Sequence, residues 1–252
     1  MNINNYGLLF YSFIFLFISA GYGLQANASV VMSGTRIIYN AADKSRDIQL
    51  KNRDGFPYVV TTWFDNGNVD DGPEKSATVP FLATPPVFRI QANEGQIIRL
   101  VSTQVQSLPK DRESLFYFNF MQVPPSNIGE AQNESSKQNG ILILLRNRVK
   151  LFYRPSGLSG NPQKVLENIK VARTTKGNKT GVTITNNQPY HITVAALTPS
   201  GTSSIWQREN DMIAPFSHET FFFSGGRISE ASGIRISLIN DQGARISEHF
   251  SF

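Results

Sequence analysis

The sequence predicts an all-β chain built as two β-sandwiches of unequal size, and three observations carry that prediction. Short segments rich in β-branched and aromatic residues recur along residues 29–252, with turn residues between them. No stretch between Ser29 and Tyr153 carries a 3.6-residue apolar repeat, which excludes the alternating helices of an α/β fold. A Gly-, Ser- and Pro-rich stretch from Pro155 to Pro162 divides the strands into two series, as an interdomain connector does. The expected domains are 29–157 and 158–252.

Residues 1–28 stand apart as a predicted signal peptide. GLLFYSFIFLFISA (residues 7–20) is apolar but short for a membrane span, and Ala26 and Ala28 fit the small-x-small rule of secretory cleavage. Cleavage is expected after Ala28, although MNINNYG holds no Lys or Arg and only the terminal amine supplies positive charge. Export without a single cysteine means that the fold is held by its own cores and not by disulfides, as suits a bacterial periplasmic protein. The net charge of +5, from 24 Lys and Arg against 19 Asp and Glu, is too modest for a protein that coats nucleic acid.

The first series of strands reads TRIIYN (35–40), DIQLKN (47–52), YVVTTWF (58–64), VFRIQA (87–92), QIIRLVS (96–102), LFYFNFMQV (115–123) and LILLRNRVKLFY (142–153). Asp54-Gly55, Asn66-Gly67, Asp71-Gly72 and Asn93-Glu94-Gly95 supply turn chemistry between them. SNIGEAQNESSKQNG (126–140) is polar throughout and reads as a loop. The second series is IKVARTT (169–175), GVTITNN (181–187), HITVAAL (191–197), ETFFFS (219–224), IRISLIND (234–241) and ARISEHF (244–250), preceded by VLENI (165–169), which is long enough for one helical turn only.

Catalytic chemistry is not expected. His191, His218 and His249 stand singly, with no second metal ligand at a useful spacing, and read as surface or partly buried residues. The nucleophile-elbow, P-loop and zinc-protease patterns are absent. TKGNKTG (175–181) lacks P-loop spacing and reads as a hairpin turn. KLFYRP mixes basic and aromatic residues as stacking platforms do, but the glycine–aromatic pattern of RNA-binding sheets is missing. No enzyme activity, cofactor, metal, nucleic acid or small-molecule substrate is therefore expected.

ILILLRNRVKLFYRP (141–155) is the unusual segment. By the period of two, Ile141, Ile143 and Leu145 share one face while Leu142 and Leu144 share the other, so both faces need cover. A central strand covered by its own domain meets that need, and so does an edge strand covered by a partner chain. Lys150, and Arg36 in the early strand, could together hold a carboxylate, or could be ordinary strand-surface cations; spacing alone favours the ordinary surface cations. Strict alternation puts Lys150 on the face opposite Leu145, so if both serve one partner either a bulge or a strand twist intervenes or the face assignment is partly wrong.

Four segments resemble a known family. LPKDRESLFYFNFMQVPP (108–125), VKLFYRP (149–155), ATPPVFRI (83–90) and LINDQGARISEHF (238–250) look like segments of the periplasmic pilus chaperones, the PapD-like proteins of the chaperone–usher pathway, and the resemblance covers essentially the whole mature chain. It implies two immunoglobulin-like domains set as an L or boomerang. It also implies a protein that stabilises pilus subunits by donor-strand complementation and delivers them to an outer-membrane usher, with self-association capping the donor strand. Carried over by residue, Arg36 and Lys150 match the cations that anchor a subunit's C-terminal carboxylate. Ile141, Ile143 and Leu145 match the donated strand, and Glu113, Arg154 and Asp241 resemble a charged trio that ties the two domains together. The polar loop is longer than the short-loop branch usually has, yet the disulfide of the long-loop branch is absent, so a short-loop type with an extended loop is expected. The alternative, a secreted pilus or surface subunit, fits poorly with two domains, no cysteine and a donor-like strand in mid-chain.

Overall fold

The sheet that carries the unusual segment begins with a strand divided between two sheets. In the computed structural model, which describes residues 29–125, 143–177, 179–201, 212–223 and 232–252, β1 (Val30–Met32) pairs antiparallel with β3 (Arg46–Asn52). β2 (Arg36–Asn40) follows at once but pairs parallel with β9 (Leu145–Arg154) in the opposite sheet. Between them the chain crosses at Ser33–Thr35, with Gly34 at φ +99°, a left-handed conformation that glycine adopts without steric cost. The predicted leader, Ile141 and the polar loop lie outside the described residues.

The remaining strands of this half are β4 (Tyr58–Asp65), β5 (Phe81–Thr84), β6 (Val87–Ile90), β7 (Gly95–Ser102) and β8 (Ser114–Val123). They complete a four-stranded sheet, β1-β3-β7-β5, and a five-stranded sheet, β2-β9-β8-β4-β6. The two sheets close on an aromatic core. Phe81 lies at its centre, with ring centroids 5.3 Å from Phe116, 5.6 Å from Tyr39, 6.0 Å from Phe64 and 6.2 Å from Tyr153. Alternation in LFYFNFMQV places Phe116, Phe118 and Phe120 on this inner face, as a sandwich strand requires.

The second half holds β10 (Ile169–Lys176), β11 (Lys179–Asn186), β12 (Ile192–Pro199), β13 (Met212–Ile213), β14 (Ser217–Phe222), β15 (Gly233–Ile239) and β16 (Arg245–Ser251). A three-stranded sheet, β10-β11-β14, faces a four-stranded one, β13-β12-β15-β16, over a separate and mainly aliphatic core that includes Ile184, Ile192, Leu197 and Ile234. The chain is thus two β-sandwich domains. Where TKGNKTG reads as a hairpin turn, β10 and β11 pair antiparallel, with Lys176 opposite Lys179. The single helical turn expected near 165–169 is a 3-10 turn at Pro162–Asn168, capped by the Asn161 side chain, which accepts from the Gln163 amide at 2.9 Å. Three strands escape sequence reading because they are short: β1 has 3 residues, β5 has 4 and β13 has 2.

Because Phe81 projects from the four-stranded sheet into four rings of the five-stranded one, its removal should weaken the first sandwich selectively. Phe81→Ala is expected to cost about 3–5 kcal/mol, the usual range for emptying an aromatic core position. Urea denaturation with amide-exchange readout should show the loss in β1–β9, while the core of β10–β16 keeps its protection.

Candidate functional site

β9 has two neighbours along only half of its length. On one side it pairs with β8 without interruption, from Leu145 opposite Gln122 to Tyr153 opposite Ser114. On the other side, β2 pairs with Lys150–Arg154 alone. Among the described residues nothing pairs with Leu145–Val149 on that side, so the backbone edge there is open. The protein's own domain covers one half of the strand only: Leu151 and Tyr153 are buried in the core, whereas Leu145 is 47% exposed and Ile143, just before the strand, is 65% exposed.

The expected bulge is not there. Residues 145–153 pair one to one with β8, leaving no extra residue to reverse the alternation. Val149, Leu151 and Tyr153 point into the core, and Leu145 shares their parity. Lys150, Phe152 and Arg154 lie on the outer face. Leu145 and Lys150 therefore lie on opposite faces of β9.

Gln122 explains why the sandwich does not gape at this edge. It is buried on the inner face of β8, opposite Leu145, and its Oε1 accepts the Val30 amide at 2.7 Å. A side chain thus ties β1 across to the other sheet where no strand does.

Arg36 and Lys150 are direct register neighbours on parallel strands, so both project from the outer face, about 4.8 Å apart at the backbone. Arg36 lies over the Phe152 ring, 5.8 Å from its centroid, and its Nη1 donates to the Ile239 carbonyl of the second domain at 3.0 Å. Its Nε is buried without a hydrogen-bond partner among the described residues. Burial pushes the Arg36 pKa down, and the more distant charges of Asp241 and Glu113 offset this only in part. This cation is therefore held by backbone and ring contacts, with its charge undercompensated.

The structure brings Glu113, Arg154 and Asp241 together across the two domains. Arg154 Nε donates to Glu113 Oε1 at 2.8 Å, while Nη1 and Nη2 donate to the two oxygens of Asp241 at 2.8 and 3.1 Å. Burial works against the Arg154 charge, and the two carboxylates outweigh it, raising its pKa. Glu113 Oε2 also accepts the His191 amide at 2.8 Å and lies 3.3 Å from His191 Nδ1, and the Glu113 amide donates to Pro189 O at 2.9 Å. His191, isolated in the sequence, belongs to this network and packs on Phe152 with ring centroids 5.5 Å apart. Gly243 is required here too. Its φ is +83°, and a Cβ would sit 2.5 Å from Thr35 Oγ1 in the sheet crossover of the first domain. Ile141 lies outside the described residues.

The site thus joins two sandwiches locked by a buried ion network with a half-open strand beside a pair of cations. Comparisons with known proteins give the family. Residues 29–159 match the pili and flagellar-assembly chaperone family, PapD N-terminal domain, and residues 164–250 match the pili assembly chaperone PapD, C-terminal domain. The chain belongs to this PapD-like family of pilus chaperones, which is not an enzyme family. It is 39% identical over 221 residues to the probable fimbrial chaperone YadV of Escherichia coli K12, covering 87% of this chain and 88% of that one. It is 33% identical to the chaperone protein PapD of Escherichia coli over 233 residues, covering 91% and 87%. The crystal structure of the YadV chaperone superposes with a TM-score of 0.71 at 36% identity, covering 89% of this chain and all of that one.

Breaking the interdomain network should be costly because Glu113 is only 4% exposed. Arg154→Ala leaves a buried carboxylate without its arginine, which typically costs about 3–5 kcal/mol. Calorimetry should show a lowered melting temperature and separate transitions for the two sandwiches, while Lys164→Ala, at an exposed ion pair, should change little.

Proposed function

We propose that this chain is a periplasmic chaperone that lends the open half of β9 to an incomplete pilus subunit and passes that subunit to an outer-membrane usher. The observation that carries the reading is the half-paired strand: an open backbone edge over residues 145–149 that begins beside exposed Ile143 and Leu145. An unprotected apolar edge invites pairing with another chain, and strand addition uses such an edge directly. The predicted leader, read from residues 1–28, supports export to the periplasm.

In this reading Ile141, Ile143 and Leu145 fill alternate pockets of the subunit groove. Burying three such side chains contributes about 5–9 kcal/mol before ordering costs. Arg36 and Lys150 receive the subunit's terminal carboxylate, and the undercompensated charge of Arg36 supports that role. The carboxylate fixes register, which matters because a one-residue slip exchanges the two faces of the strand. Glu113, Arg154 and Asp241 set the angle between the domains. Without a subunit, a second copy of the chain would cover the same edge.

Arg36→Ala and Lys150→Ala should leave a folded protein whose affinity for a pilus subunit falls by about 30-fold or more, as expected for removing one side of a desolvated charge contact worth at least about 2 kcal/mol. Co-expression with a subunit and periplasmic pull-down measures this. Undiminished recovery with both cations removed would sink the anchor. Ile143→Asp should abolish capture with little change in the melting of the free protein, since Ile143 is already exposed. A large loss of melting temperature would instead mean that Ile143 serves the protein's own core.

A further inference from the structure

The open half of β9 is extended although it has one strand neighbour and exposed apolar side chains, a combination that favours fraying. Its outer face holds the reason. Arg148 Nε donates to Asp65 Oδ2 at 2.9 Å and its Nη2 to Asp65 Oδ1, and the guanidinium lies 3.4 Å from the Tyr117 ring centroid. Asn119 Nδ2 donates to Asp65 Oδ2 at 2.8 Å. The Oδ1 of the same Asn119 accepts Arg146 Nε at 3.0 Å and Nη2 at 2.9 Å. Arg146 also lies over Trp63, 4.8 Å from the ring centroid, and donates to the Val69 carbonyl beyond β4.

Everything converges on Asp65. Its side chain has no exposure, and Asn119 beside it is equally buried. Burial works to raise the Asp65 pKa, but hydrogen bonds from Arg148, Asn119 and the Gly67 amide outweigh it and leave the carboxyl below its ordinary value. A buried carboxylate is a poor way to gain stability, because apolar packing of similar volume often does as well or better. This one, however, sits directly behind the strand half that lacks a second neighbour.

We propose that Asp65 is a positioning residue: by holding Arg148 directly and Arg146 through Asn119, it keeps residues 145–149 extended, with their apolar face and open edge presented before a subunit arrives. The inference rests on the reading that this strand is lent. Preordering the strand removes an ordering cost from the binding step. It also assigns Arg146 and Arg148 to the strand's rigidity, apart from the carboxylate anchor at Arg36 and Lys150.

The test uses the full chain with Asp65→Asn, and with Asp65→Asn/Arg148→Gln, which removes both charges together and so guards against misfolding from an unpaired arginine. Amide exchange of the free protein should quicken about 10- to 100-fold in 145–149, the change expected for a lost charge-assisted hydrogen bond, while amides of 60–64 in β4 stay protected. Subunit capture should slow in step. Equal quickening across the sheet, or none in 145–149, would overturn the positioning role. Local quickening with capture undiminished would overturn the lending of this strand instead.

Discussion

The arrangement depends on one constraint: the first strand of the chain serves two sheets and so cannot cover the whole of β9. β1 belongs to the four-stranded sheet, and after Gly34 the chain has crossed over and pairs in parallel from Arg36 onward. Parallel pairing of Arg36–Asn40 with Lys150–Arg154 uses the second half of β9 and leaves the first half bare. The same register places Arg36 beside Lys150. An open edge and a pair of cations at its closed end therefore follow from a single crossing.

The outer face of β9 distributes four cations over three tasks. Arg146 and Arg148 are tied to Asn119 and Asp65 behind the open half, and Arg154 joins Glu113 to Asp241 across the domains. Between them lies Lys150, whose register neighbour Arg36 hydrogen-bonds a carbonyl of the second domain. Arg36 thus links the candidate anchor to the domain interface, and Gly243 packs against Thr35 one residue away. A carboxylate arriving at Arg36 would act on the contact that helps hold the domains together.

Much of this was legible in the sequence. Strand periodicity and turn residues point to two sandwiches, and the residues for which the family resemblance implies an interdomain tie do lie within hydrogen-bonding distance of one another. What escaped was whatever depends on long-range pairing. β5 and β13 are too short to show a period, and nothing local reveals that β1 and β2 part company at Gly34. His191 looked isolated because its partner Glu113 lies 78 positions away. Nothing local singles out Asp65, since its partner Arg148 is 83 residues distant. Of the bulge or twist expected between Leu145 and Lys150, the bulge is absent, because residues 145–153 pair one to one with β8.

The central claim is that the open half of β9 becomes a strand in another chain's sandwich. The chain has no cysteine, so single cysteines at 143, 144 and 145 report their surroundings without ambiguity. Thiol labelling of each variant, free and in complex with a pilus subunit, measures which side chains become buried. The account predicts that all three react when free, and that 143 and 145 become protected in the complex while 144 stays reactive. Equal protection at all three positions, or protection at none, would contradict it.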